Sequence, residues 1–248
     1  EDIDTNEDLR AEFEATKPIE IIPDIVDECT TVLSQILSDK VGKINTMIPT
    51  KRLNTKGFIN PSNQKLFRKK VVLQKTRKKI TMIVDCSGSM RGSPINEGKL
   101  LLCALNRIAE RNLAEVTFIL SKVAHESGRY TAFHQKITAP VEELILKSLV
   151  ADGAGEGLYY TINAHKALIR ESDYVFVYTD AQITDAAIDK AILHAGGIYT
   201  YGLYASEYVL NDEISREVRN ELDRFFDKSI LAPTIKEAVY QLVKIVSK

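Results

Sequence analysis

The chain has 248 residues, of which 44% are hydrophobic, and a formal net charge of −1. That is enough for one large domain or a domain plus an appendage, and the balanced charge excludes a strong general attraction to nucleic acid or anionic membrane. No apolar run approaches the roughly 18 residues of a membrane span.

The opening stretch, EDIDTNEDLRAEFEATKP, is acidic and has little periodicity. It lacks the basic-then-apolar order of a signal peptide. The absence of an initiator methionine is what a segment cut from a longer protein would show. From Asp24 to about Ile44 the apolar residues Ile25, Val26, Val32, Leu33, Ile36 and Leu37 recur at helical spacing, which predicts one amphipathic helix. Residues 45–63 hold Pro49, Asn54, Gly57, Asn60 and Pro61 and read as loop. A basic run, KLFRKKVVLQKTRKK, covers 65–79.

At Ile80 the pattern changes. ITMIVD is a nearly continuous apolar run that ends on Asp85, the mark of a strand buried on both faces. A helix is expected over 95–112 and strands over 115–120 and 129–137. Helices follow over 141–150 and 158–171, the second after the glycine-rich DGAGEG. YVFVYTD, 174–180, is a further buried strand that also ends on aspartate. Then come a helix at 184–194, a strand at 197–205, a helix at 214–226, an edge strand at 228–232 and a last helix at 235–246.

Strands alternating with helices of this length predict an α/β fold with a Rossmann-like, mostly parallel central sheet and helices on both faces. Residues 1–79 are expected to form an acidic, helical N-terminal extension ending in the basic segment, and 80–248 the α/β domain. Sites in such open sheets form at the carboxyl ends of the strands. Asp85, Asp180 and the loop with Gly153, Gly155 and Gly157 are all expected there.

Asp85 is followed by hydroxyls at Ser87 and Ser89. One strand end and one tight turn would thus bring together three hard oxygen donors, with Asp180 arriving from a second strand end. Such a set suits magnesium, manganese or calcium. Asp85 and Ser87 also fit a simple cap on the following turn.

DCSGSM, together with TDA after a buried strand, resembles the von Willebrand factor A (vWA) domain and its metal-ion-dependent adhesion site over about 80–248. The resemblance implies Mg2+ (Mn2+ or Ca2+ as substitutes) held by Asp85, Ser87 and Ser89, with Asp180 completing the set. It also implies a coordination position open to a carboxylate, Asp or Glu, of a partner protein. The family usually places a threonine after a glycine pair just before a helix. Here GAGEG puts Glu156 at that place, either as a further ligand or as a solvated charge at a helix N-terminus. Thr161 falls inside the helix and is a poor substitute.

Upstream, KRLNTKGFINPSNQKLFRKK followed by ITMIVDCSGSMRGSPI is similar to the C-terminal region of the T subunit of aerobic cobaltochelatases and related bacterial vWA proteins. This implies a cytoplasmic adaptor or client-binding subunit working with a MoxR-like AAA+ ATPase. The chain has no G-x-x-x-x-G-K-[ST] string of its own.

Two other function classes compete with this reading. A metal-dependent hydrolase needs a base, and His125, His134, His165 and His194 are scattered in the sequence, so no residue is assigned a catalytic role. Nucleic-acid binding would use 65–79, but Phe67 is its only aromatic, which leaves no stacking platform. The cysteines, Cys29, Cys86 and Cys103, are too few and scattered for a disulfide framework or zinc knuckle. They fit a reducing compartment. Tyr204, Ser206 and Glu207 follow a strand expected to end near the metal face, where they would join a partner surface.

Overall fold

The computed structural model describes residues 23–37, 41–46, 67–72, 77–126, 129–182 and 200–246. The chain divides into two compact units, Leu37–Arg77 and the remainder. In the smaller unit, β1 (Val41–Thr46) and β2 (Phe67–Val72) pair antiparallel, with Val41 opposite Val72 and Thr46 opposite Phe67. The helix expected to reach Ile44 therefore stops at Leu37. Gly42 is a poor helix residue, and Val41, Ile44 and Thr46 are β-branched, so a partner strand outweighs the weak helical periodicity. Part of the basic run, Lys69 and Lys70 included, is strand.

In the larger unit, α1 (Pro23–Leu37) buries Val26, Cys29 and Leu33, one helical stripe. Asp27 meets Arg107 at 2.8 Å, and Glu28 meets Lys236 at 2.8 Å and the Tyr240 hydroxyl at 2.9 Å. The compact units thus break around Leu37 and Lys78, and α1 joins the unit that carries the sheet.

That sheet contains β3 (Lys78–Asp85), β4 (Ala114–Glu126), β5 (Arg129–Thr138), β6 (Tyr174–Tyr178), β7 (Thr200–Ala205) and β8 (Lys228–Ala232). Their spatial order is β5-β4-β3-β6-β7-β8, and only the β4–β5 pair is antiparallel. The chain moves outward from β3 to β4 and β5, then crosses back to β6 on β3's other side. The β3–β6 seam is therefore a topological switch point, where open α/β sheets bind ligands.

The helices are α2 (Ser93–Glu110), α3 (Glu143–Lys147), α4 (Leu158–Ala164), α5 (Lys166–Glu171), α6 (Asp212–Phe225) and α7 (Ile235–Val246). The segment expected as one helix over 158–171 is two, broken at His165, whose φ of −104° and ψ of 18° leave the helical range. The helix expected over 184–194 lies outside the described residues.

Strand register assigns helices to faces. Tyr178 pairs with Leu203, and Val177 with Gly202, so Tyr178 and Gly202 point to opposite faces. Helix α2 lies over Tyr178, where an added Cβ at Gly98 would come 2.9 Å from the ring. Leu222 and Phe226, on and just after α6, lie against Gly202 on the other face. With both faces covered, every β3 residue from Ile80 to Asp85 is buried. A buried Leu, Ile or Met side chain contributes about 1.5–3 kcal/mol. Local signals end the helices. Asn112, at φ 55°, closes α2 with its N–H on Ala109 O and that of Leu113 on Ile108 O, a Schellman arrangement. Asn211 Oδ1 caps α6 by accepting from the N–H groups of Glu213 and Ile214.

Candidate metal centre

Parallel pairing places Val84 opposite Tyr178. One residue further on, Asp85 and Thr179 leave adjacent strands side by side and point to the same face. The register is carried by the ladder from Ile80 opposite Tyr174 to Val84 opposite Tyr178. The 152–157 loop is stitched across the same edge. Gly88 N–H donates to Gly153 O at 2.8 Å, and Gly153 N–H to Cys86 O at 3.0 Å. Val123 N–H donates to Gly155 O at 2.7 Å. Gly153 is required by this close approach, since a Cβ there would lie 2.8 Å from Lys122 Cβ and 2.9 Å from Gly155 O. Gly157 then turns with φ 62° into α4. The stitched loop delivers Glu156, which is 3% exposed.

Asp85 Oδ1 accepts the Ser87 N–H at 2.8 Å, and Oδ2 accepts the Thr179 hydroxyl at 2.7 Å. The Ser87 hydroxyl lies near enough to the Asp85 carboxylate to favour its ionised form and stands 3.0 Å from the Ser89 hydroxyl. The Asp180 carboxylate accepts the Gln182 N–H at 3.1 Å, and the Ser89 hydroxyl lies near enough to favour its ionised form. Two hydrogen-bonded hydroxyls thus stand between two carboxylates that come from neighbouring strand ends. Asp85, Ser87 and Asp180 are buried, and Ser89 is exposed. Next to Asp180, Ala181 has φ 61°, a left-handed conformation that costs a non-glycine residue about 1–2 kcal/mol.

The electrostatics follow from burial. Desolvation pushes the Asp85 carboxyl up to about 7; bonds from Thr179 and Ser87 pull it down, and the Asp180 charge adds to the rise. Asp180 is also raised, by burial first, against bonds from Gln182 and Ser89, with the Glu156 charge pushing it further. Three carboxyl groups therefore feel one another in a desolvated pocket, a field that a cation offsets. Among the described residues, no three His, Cys, Asp or Glu side chains stand close enough to hold an ion alone. A cation here would depend on the serine hydroxyls as well. The donor set is all oxygen, which fits magnesium, manganese or calcium and suits zinc or copper poorly.

The structure brings Asp85, Ser87, Ser89 and Asp180 together, with bonds from the Ser87 N–H to Asp85 and between the two serine hydroxyls, and with Glu156 close enough to act on Asp180. Glu156 is buried, so it is not a solvated charge. Tyr204 and Ser206 are also buried, so only Glu207 of the expected partner-surface trio is exposed. Two contributors were not singled out from the sequence. Thr179 holds Asp85, and Ser121, opposite Asp85 on β4, donates to Glu156 O at 2.6 Å and lies 2.8 Å from the Thr161 hydroxyl. The signal for Thr179 is its place directly before Asp180 at a buried strand end; Ser121 has no signal short of strand register.

No family model matches the chain, and no curated protein matches it. Among solved structures it is similar to the pilus adhesin SpaC from Lactobacillus rhamnosus GG in an open conformation. The TM-score is 0.43 and the identity 13%, over 69% of this chain and 30% of that one. The chain therefore spans less than a third of the adhesin's length.

Proposed function

We propose that the chain is a divalent-cation-dependent protein-recognition module of the vWA type. The observation that supports this best is the pair of buried carboxylates, Asp85 and Asp180, with the hydrogen-bonded Ser87 and Ser89 hydroxyls between them at the β3–β6 switch point. In this reading Ser87, Ser89 and Asp180 hold Mg2+, with Mn2+ or Ca2+ as substitutes. Each Asp85 oxygen already accepts a protein hydrogen bond, so Asp85 orients Ser87 and supplies charge through its remaining lone pairs. The ion, when bound, supplies a Lewis-acidic point that attracts a carboxylate.

Ser89 is the exposed member, so a client's Asp or Glu would enter from its side. Glu156 sets the strength of that attraction. Its buried charge adds to those of Asp85 and Asp180, and a more fully neutralised ion draws an incoming carboxylate less. The partner machine in this reading is a MoxR-like AAA+ ATPase in the cytoplasm, as the strings upstream of Ile80 suggest. No helix among the described residues is long and apolar enough to cross a membrane.

The test is calorimetric titration of metal-stripped protein with Mg2+, Mn2+ and Ca2+, with Asp85→Ala alongside. Saturable binding that the variant loses is the expected result. Equal binding by Asp85→Ala, or none by the natural chain, overturns the reading.

A further inference from the structure

We propose that His134 and His165 form a separate site for a transition-metal ion of the zinc, nickel or copper class. The two residues are 31 positions apart, yet His165 Nε2 lies 3.0 Å from His134 Nδ1. Their rings meet edge to face, with centroids 4.7 Å apart and planes at 88°.

Each histidine sits on a held element. His134 lies in β5, paired with Ser121 of β4. His165 is at the α4–α5 junction, its N–H bonded to Thr161 O at 3.1 Å. Both are half-buried, which limits their rotamer freedom and leaves a route for an ion.

The spacing is close to that of a two-imidazole chelate. Two metal–nitrogen bonds of about 2.0–2.1 Å at a tetrahedral angle separate the nitrogens by about 3.3 Å. The pair needs to open by about 0.3 Å and the rings need to turn, because an ion bound by both nitrogens lies off the line between them. A hydrogen bond between two ring nitrogens requires one ring to donate and the other to accept. When an ion binds, the donating ring releases that proton to solvent and takes one up at its other ring nitrogen, so both rings stay neutral and both facing nitrogens offer lone pairs to the ion. Imidazole nitrogens favour zinc, nickel and copper over magnesium and calcium, so this site and the oxygen site would select different ions. Among the described residues, no third His, Cys, Asp or Glu joins the pair closely enough to make a metal cluster. Water, or a donor from another molecule, fills the remaining positions.

The location gives such an ion a structural effect. Asp85, Ser121 and His134 lie in one row across β3, β4 and β5. Ser121 also contacts Thr161, one turn before His165 on the same helical segment. An ion on the histidines would fasten that segment to β5 and stiffen the support beneath Glu156.

The full chain, stripped of metal, is titrated with Zn2+ against a chromophoric chelator and with Cu2+ followed by electron paramagnetic resonance. The variants are His134→Gln, His165→Ala, His125→Ala and Asp85→Ala, each checked for folding by circular dichroism. One Zn2+ is expected per chain, with affinity at least tenfold weaker in both His134→Gln and His165→Ala and unchanged in His125→Ala and Asp85→Ala. The Cu2+ spectrum of the natural chain is expected to show splitting from two imidazole nitrogens, a readout that does not depend on any variant folding. The proposal is overturned by undiminished Zn2+ affinity in either histidine-pair variant, by coupling to fewer than two nitrogens, or by no binding at all. Loss of Zn2+ in Asp85→Ala alone would overturn it by placing the ion at the oxygen site. Because the oxygen site is tested with Mg2+, failure of one site leaves the other standing.

Discussion

The Thr179 hydroxyl donates to Asp85 Oδ2 at 2.7 Å, tying the ends of adjacent strands at the sheet's switch point. Thr179 Oγ1 also accepts the Ala181 N–H at 3.1 Å. One side chain therefore orients the first aspartate and shapes the turn that presents the second. Thr179→Val keeps the volume and removes both bonds. With the Asp85 carboxylate still buried, the loss is expected to be about 1–3 kcal/mol. The Asp85 carboxyl should rise beyond its value of about 7, weakening Mg2+ binding at neutral pH. Chemical denaturation and calorimetry measure the two effects; wild-type values in both would remove Thr179 from the site.

Stability of the metal-free protein is expected to fall as pH rises from about 4 to about 7. The Asp85 carboxyl is raised from 3.8 to about 7 by burial, so the folded state holds its proton more tightly than the unfolded state. The contribution is fully present below the unfolded value and is lost as pH passes through the folded one. Its size is on the order of a few kcal/mol. Asp180 is raised in the same direction. Cation binding requires the ionised groups and is expected to have the opposite slope, with affinity climbing up to about pH 7. Denaturation midpoints between pH 4 and 8, with and without Mg2+, should diverge; parallel curves would contradict the site.

Asp85→Asn removes the buried charge at nearly constant volume. The metal-free variant should be at least as stable as the natural chain at pH 8 and should lose most of the pH dependence described above. Mg2+ affinity should fall more than tenfold. Thermal melts at several pH values, paired with calorimetry, separate the two effects, and retention of the natural pH slope would show that another group causes it.

Glu156→Gln tests the buried glutamate. Its charge raises the Asp180 carboxyl, so the variant should let Asp180 ionise at lower pH. If Glu156 helps hold the ion, Mg2+ affinity should drop about tenfold; an unchanged affinity means that its carboxylate never reaches the ion. Glu156→Thr puts a neutral hydroxyl in place of the buried charge and, under the proposed reading, should favour an incoming client carboxylate.

Gly153→Ala should displace the stitched loop. The new methyl would meet Lys122 Cβ at 2.8 Å, Gly155 O at 2.9 Å and Cys86 O at 3.1 Å, and neither backbone nor Cβ can swing aside. The expected cost is about 1–3 kcal/mol. Glu156 should shift with the loop, so cation affinity should fall as well. Differential scanning calorimetry with and without Mg2+ measures both; an unchanged melting temperature would mean that the loop is not held as described.

The sequence by itself determined the alternation of strands and helices, because buried strands need continuous apolar runs and covering helices need a stripe. ITMIVD and YVFVYTD are legible for that reason, and so are their terminal aspartates. It also determined the hydroxyl pair after Asp85, since Ser87 and Ser89 belong to the same turn. Helix lengths were less legible. The residues after Leu37 left the helix for a strand whose partner is distant in the chain, and His165 broke what the periodicity shows as one helix.

Only the tertiary structure decided which side chains meet. The bond from Thr179 to Asp85, the support of Glu156 by Ser121 and the contact between His134 and His165 all depend on strand register and on the faces the helices cover. Those are set by burial of the whole sheet. A chain read one window at a time carries no term for neighbours that lie 31 to 94 residues apart.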